Sequence, residues 1–190
     1  MRSALPLLAA ILLLPACEQH QEQANNESAT VEAAMPAKGV DRSNKGRAAP
    51  EVTFQDPDGG EISLAHFKGT PVLVNLWATW CAPCVKELPT INALAHTHDR
   101  DGALGVIAVS QDSGPQASVE AFLEKVKADD LGAYHDPKMA LSGALNAQVL
   151  PTTILIDADG KEVWRYVGDL DWTSEEARKL LAELPAAGKS

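Results

Sequence analysis

Cysteine is scarce in this chain, at three in 190 residues. A zinc site built on Cys81 and Cys84 would need two further ligands, and the five histidines offer no second pair at finger-like spacing. His96 and His98, two apart on a predicted helix, would point to different faces. Aromatic residues are few, at 5%, but 45% of the chain is hydrophobic, enough for one core of ordinary size. Basic residues are outnumbered, 16 to 26, for a formal net charge of −10. That balance argues against nucleic acid as a partner and against adhesion to anionic lipid by charge. The longest apolar run at the start, residues 4–14, is too short to span a bilayer.

What the beginning does have is one basic residue, that apolar run and then Leu14-Pro15-Ala16-Cys17. Residues 1–16 have the outline of a secretory signal. The four residues ending in Cys17 resemble a bacterial lipobox, which would make Cys17 an acylated first residue of the mature protein and remove it from thiol chemistry. Residues 17–49 are rich in Gln, Asn, Glu, Ala and Ser, with almost no large apolar side chain. Such a segment cannot bury enough surface to offset its ordering entropy, and it reads as a disordered tether with a reach on the order of 30 Å.

From residue 50 the chain is punctuated as a single α/β domain, residues 50–185, with a tail at 186–190. Val52-Thr53-Phe54 and Ile62-Ser63-Leu64, split by Asp56-Pro57-Asp58-Gly59-Gly60, read as an N-terminal β-hairpin. Residues 72–77 and 104–110 are nearly continuous apolar runs, as central strands covered on both faces require. Helical patterns follow each, at 82–98 and 116–128, forming a βαβ unit. A third helix is expected over 137–146. Strands at 152–156 and 162–167 flank the turn Asp157-Ala158-Asp159-Gly160, so they should be antiparallel. A last helix opens at Thr173 and presents Leu180, Leu181 and Leu184 to the core.

Trp80-Cys81-Ala82-Pro83-Cys84 concentrates the chemistry. A buried strand here delivers two thiols, one helical turn apart, to the start of a helix. Unpaired N–H groups and the positive end of the helix dipole favour thiolate at Cys81, which becomes the nucleophile. Cys84, three residues on and turned inward, resolves the mixed disulfide. Pro83 sacrifices no intrahelical bond in the first turn and stiffens it. Glu87 shares a helix face with Cys84, so its carboxylate can exchange the proton Cys84 must lose and regain; otherwise it is a solvated surface Glu. Trp80 offers a flat apolar surface for substrate, whereas Trp77 in the strand belongs to the core.

These segments together resemble a thioredoxin-like domain over most of 50–184. Asn75-Leu76-Trp77-Ala78-Thr79-Trp80-Cys81-Ala82-Pro83-Cys84 looks like its active-site segment, Pro89 falls at its helix proline, and Leu150-Pro151-Thr152-Thr153 resembles its cis-proline loop. Cys84-Val85-Lys86-Glu87-Leu88-Pro89, the secretory start and His66-Phe67-Lys68-Gly69-Thr70-Pro71 are similar to the TlpA/ResA/CcmG group of membrane-anchored thiol-disulfide oxidoreductases; residues 168–172 share that similarity. The resemblance implies a central mixed sheet flanked by helices and a cis Leu150–Pro151 bond. Leu150 would shape the pocket, its backbone groups left free to pair with an extended substrate segment. It also implies that Glu87 matches a glutamate tied to the active site. That role matters because thioredoxin proper has an aspartate where this chain has Asn75, and an amide cannot shuttle a proton.

The expected activity is a protein disulfide reductase on the periplasmic side of a bacterial membrane, lipid-anchored and monomeric, with no cofactor. Its partners would be a disulfide-bearing protein substrate, such as apocytochrome c or a copper-site assembly protein, and a membrane thiol-disulfide electron donor. Alternatives are a disulfide oxidase or a copper-delivery module using the same dithiol, although no Met or His is placed to complete a copper site. Peroxiredoxin chemistry needs Pro and Thr where Val74 and Ala78 stand.

Overall fold

Alternation along a single strand organises the molecule. In β4 (Val72–Trp77) every residue is buried. Leu73 and Trp77 enter the core on one side of the sheet, while Val72, Val74 and Leu76 enter the core on the other. Each such side chain contributes roughly 1.5–3 kcal/mol by leaving water. The period of two puts Asn75, the polar interruption of this run, on the same side as Leu73 and Trp77, where α1 (Ala82–His98) packs.

The computed structural model describes residues 36–98 and 102–184. The leader, Cys17, residues 18–35 of the tether and the tail lie outside them. One five-stranded mixed sheet runs in the order β1 (Gly39–Asp41), β7 (Glu162–Val167), β6 (Thr152–Ile156), β4 and β5 (Gly105–Ser110). Only the β4–β5 pair is parallel, joined through α1; the other pairs are antiparallel. The expected hairpin is present as β2 (Thr53–Gln55) and β3 (Glu61–Ser63). Helices α2 (Gln116–Val126), α3 (Ala140–Ala144) and α4 (Glu175–Leu181) complete the chain.

Three boundaries depart from the sequence reading. Residues 36–49 do not all belong to a tether: β1 pairs with β7, Gly46 N–H donates to the Glu162 carbonyl (2.7 Å), and Glu162 N–H donates to that of Arg47 (2.9 Å). An edge strand of this kind is held by backbone bonds and needs no apolar pattern. Helix α2 stops at Val126 because Lys127 turns left-handed. The third helix shrinks to five residues: Met139 is left-handed, φ 53°, and the Asp136 carboxylate accepts the N–H groups of Ala140 (3.0 Å) and Leu141 (2.8 Å). On the far side of α3, Arg165 makes a buried bidentate pair with Glu162 (2.7 Å each) and donates to the Leu145 carbonyl (2.8 Å), tying the start of the 146–150 loop to β7.

Candidate active site

Beyond Trp77 the chain must turn from strand to helix within a few residues, and the turn is pinned from the neighbouring strand. Asp112, just after β5, accepts the Thr79 N–H (2.9 Å) and hydroxyl (2.7 Å). Ser110 Oγ (2.7 Å) donates to the same carboxylate, and buried His135 donates through Nε2 to the Asp112 carbonyl (2.7 Å). Gln111 N–H bonds the Trp77 carbonyl (2.8 Å), and Cys81 N–H bonds that of Ala78 (3.1 Å). The loop before Cys81 is thereby fixed in place.

Cys81 and Cys84 are joined as a disulfide, with Cα atoms 5.3 Å apart, so the structure holds the oxidised state. Cys81 stands immediately before α1, its carbonyl accepting the Val85 N–H (3.0 Å) as the helix begins. The Cys84 N–H donates to Cys81 Sγ (3.3 Å). The same donor favours a thiolate there once the pair is reduced. Cys84 is wholly buried, whereas Cys81 retains slight exposure and lines an open groove of about 620 Å³. Trp80, 67% exposed, and Leu150 line that groove too. The Leu150–Pro151 bond is cis, and Pro151 is buried. Trp77 is in the core.

Glu87 lies beneath this surface, 3% exposed, on the buried side of α1 with Cys84. It is not the solvated surface residue of the alternative reading. Its Oε1 accepts from Asn75 Nδ2 (2.7 Å), and its Oε2 accepts from the Leu170 N–H (3.1 Å) and Trp172 Nε1 (3.4 Å). Burial dominates these three donors and pushes its pKa up from 4.5 to about 7. Asn75 Nδ2 also donates to Thr153 Oγ1 (2.9 Å), its register partner on β6, while Asn75 Oδ1 has no partner. The 168–172 loop forms the lid over Glu87. From outside, Lys38 (2.6 Å) and Lys86 (3.3 Å) hold the loop's Asp169, and Trp172 stacks on Trp164 at 6.4 Å between ring centres.

Two sulfurs, one facing a groove and one buried with a carboxyl group near neutrality, constitute a dithiol site, and residues 44–181 match the model of the Redoxin family. The chain belongs to that family. Within it, the chain is 34% identical to the thiol-disulfide oxidoreductase ResA of Bacillus cereus over 124 residues, 65% of this chain and 70% of that protein. It is also 34% identical to ResA of Geobacillus kaustophilus over 139 residues, 73% and 77% of the two chains. Among solved structures it is similar to one described as thiol:disulfide interchange protein DsbE from Chlorobium tepidum, with a TM-score of 0.65 and 28% identity. That match covers 74% of this chain and 98% of the other. These relatives put the chain in the TlpA/ResA/CcmG branch of the thioredoxin-like fold. It is a thiol-disulfide oxidoreductase.

This Redoxin site draws on residues the sequence reading passed over. Gln111 and Asp112 reach the active-site turn from just beyond β5, and Trp172 bonds Glu87 from 85 residues away. Only the family-like 168–172 segment hinted at the lid.

Proposed function

We propose that the protein reduces disulfides in other proteins outside the cytoplasm, held to a membrane by a lipid on Cys17. The observation that carries this reading is the asymmetry of the pair: Cys81 opens on the groove and Cys84 is enclosed with Glu87. The Cys81 thiolate attacks one sulfur of the target disulfide; the other target sulfur leaves and takes up a proton. Cys84 gives its proton to the Glu87 carboxylate and attacks Cys81 Sγ, which releases the second target sulfur as a thiolate that takes up a proton from solvent. Two electrons pass to the target, leaving the Cys81–Cys84 disulfide. A membrane thiol donor then returns two electrons, and Glu87 gives the proton back.

A protonated Glu87 needs an acceptor for its hydrogen, yet the groups around it are donors. Rotating the Asn75 amide would bring its unpartnered Oδ1 to Glu87 Oε1. Asn75 thus suits both protonation states of the carboxyl group although it carries no proton itself. Trp80 and Leu150 would contact the target segment, with Pro151 supporting the loop. Targets in cytochrome c or copper-site maturation agree with the TlpA/ResA/CcmG kinship, and a monomer is sufficient for every step.

Direction depends on potential. Equilibrating the Cys81–Cys84 pair with glutathione is expected to give a value toward the thioredoxin end, about −270 mV. A value near −120 mV would make the protein an oxidant instead.

A further inference from the structure

Glu87 has an opening of its own. It lines a space of about 200 Å³ together with Lys86, Thr90, Asp169, Leu170 and Asp171, and none of these residues lines the groove at Cys81. The mouth of this opening is charged, and Asp169 is its centre. The two oxygens of Asp169 are held separately, Oδ1 by Lys38 Nζ (2.6 Å) and Oδ2 by Lys86 Nζ (3.3 Å). The segment before β1, helix α1 and the 168–172 loop thereby meet at one carboxylate.

Lys38 is put there by strand register. Strand β1 pairs Gly39 with Val167, so Lys38 falls opposite Gly168. A Cβ on Gly168, where φ is 93°, would stand 2.9 Å from Lys38 Cγ, so the glycine is what lets the lysine stem cross the loop to Asp169.

The charged and titratable groups around Glu87 come from several elements. Helix α1 supplies Cys84 and Lys86, the loop supplies Asp169 and Asp171, and the segment before β1 supplies Lys38. Tyr166 of β7 lies edge-on to Trp172 at 6.4 Å, with Glu176 of α4 beside its hydroxyl. Strands β4 and β6 contribute only the uncharged Asn75 and Thr153. Two of these groups act on Glu87 in opposite senses: the Asp169 carboxylate opposes its ionisation, and Lys38 favours it.

We propose that Lys38 is a positioning residue for the proton acceptor: clasped to Asp169 across Gly168, it balances the charge at the mouth of the opening and so governs how readily Glu87 takes up and returns the proton of Cys84. The inference rests on the reading of Glu87 as that acceptor. Lys38 itself takes no part in sulfur exchange.

The test reads Glu87 directly, from the carbon-13 resonance of its carboxyl group in the full oxidised chain as the pH is raised through neutrality, so no turnover is needed. Lys38 is 59% exposed, and its variants should fold. Lys38→Gln is expected to move the midpoint up by a few tenths of a pH unit, the scale of an exposed charge, and Asp169→Asn to move it down. Lys38→Arg keeps the charge and should leave the midpoint in place, while salt at about 1 M should draw all the midpoints together. The inflection of the pH–rate profile for disulfide reduction should move in the same directions. A lid that was merely loosened would hydrate Glu87 and lower the midpoint in both charge-removing variants. A fall or no change in Lys38→Gln therefore overturns the proposal. If Glu87→Gln leaves the pH–rate profile unaltered, the acceptor reading fails, and this inference with it; if that variant loses the inflection while Lys38→Gln titrates like the wild-type protein, only the assignment to Lys38 fails.

Discussion

Cys81→Ser is expected to lower disulfide reduction by at least about 10³-fold, the scale of losing a nucleophile. The reason is chemical rather than structural. A serine hydroxyl stays protonated at neutral pH, so neither the Cys84 N–H at the sulfur position nor the start of α1 can convert it into an anion. The side chain is nearly isosteric and sits at a groove, so folding should be retained. Insulin reduction in the presence of a thiol donor reads the rate directly. A variant that keeps a tenth or more of wild-type activity would mean that another group attacks the target.

The second large effect is on the pH dependence of stability, and Glu87 causes it. Its folded pKa of about 7 lies above its ordinary 4.5, because ionisation inside the protein is opposed by burial. A raised folded pKa means that the unfolded chain releases this proton first as the pH rises. Stability from this group is therefore complete below about pH 4.5 and is lost as the pH climbs through 7, by about 3 kcal/mol in all. Glu87→Gln removes the loss. Relative to the variant, the wild-type protein should become less stable by that amount between pH 4.5 and 8, as read from denaturant midpoints. Reduction kinetics should change too: the variant loses the inflection near pH 7, and its resolving step slows by about 10²-fold, the low end for a positioned acid–base group. Parallel stability curves for the two proteins, or an unchanged pH–rate profile, would remove Glu87 from the proton path.

How much of this was legible in the sequence follows from which forces carry sequence patterns. Strand β4 was readable because a strand covered on both faces needs a continuous apolar run, and Asn75 was conspicuous as its one polar break. Cys84 and Glu87 could be paired by helical spacing alone. Strand β1 could not be read, since backbone bonds to β7 hold it and its Gly-Val-Asp sequence has no apolar stripe. The shortened α3 turns on the Asp136 cap and on the left-handed Met139, neither of which alters helical periodicity. The lid over Glu87 and the Asp112 bonds to Thr79 join residues 83 and 33 positions apart, and no local pattern encodes such contacts. Glu87 was therefore placed by spacing, but its enclosure by Leu170 and Trp172 became evident only in the fold.

The most direct test is to mix Cys84→Ser with a disulfide-bearing protein and weigh the product. With the resolving sulfur gone, the reaction should halt after its first step. A covalent adduct of the two proteins should accumulate, linked through Cys81 on peptide mapping and released by dithiothreitol. If no adduct forms through Cys81 while the wild-type protein reduces the same target, electron transfer does not run through this sulfur.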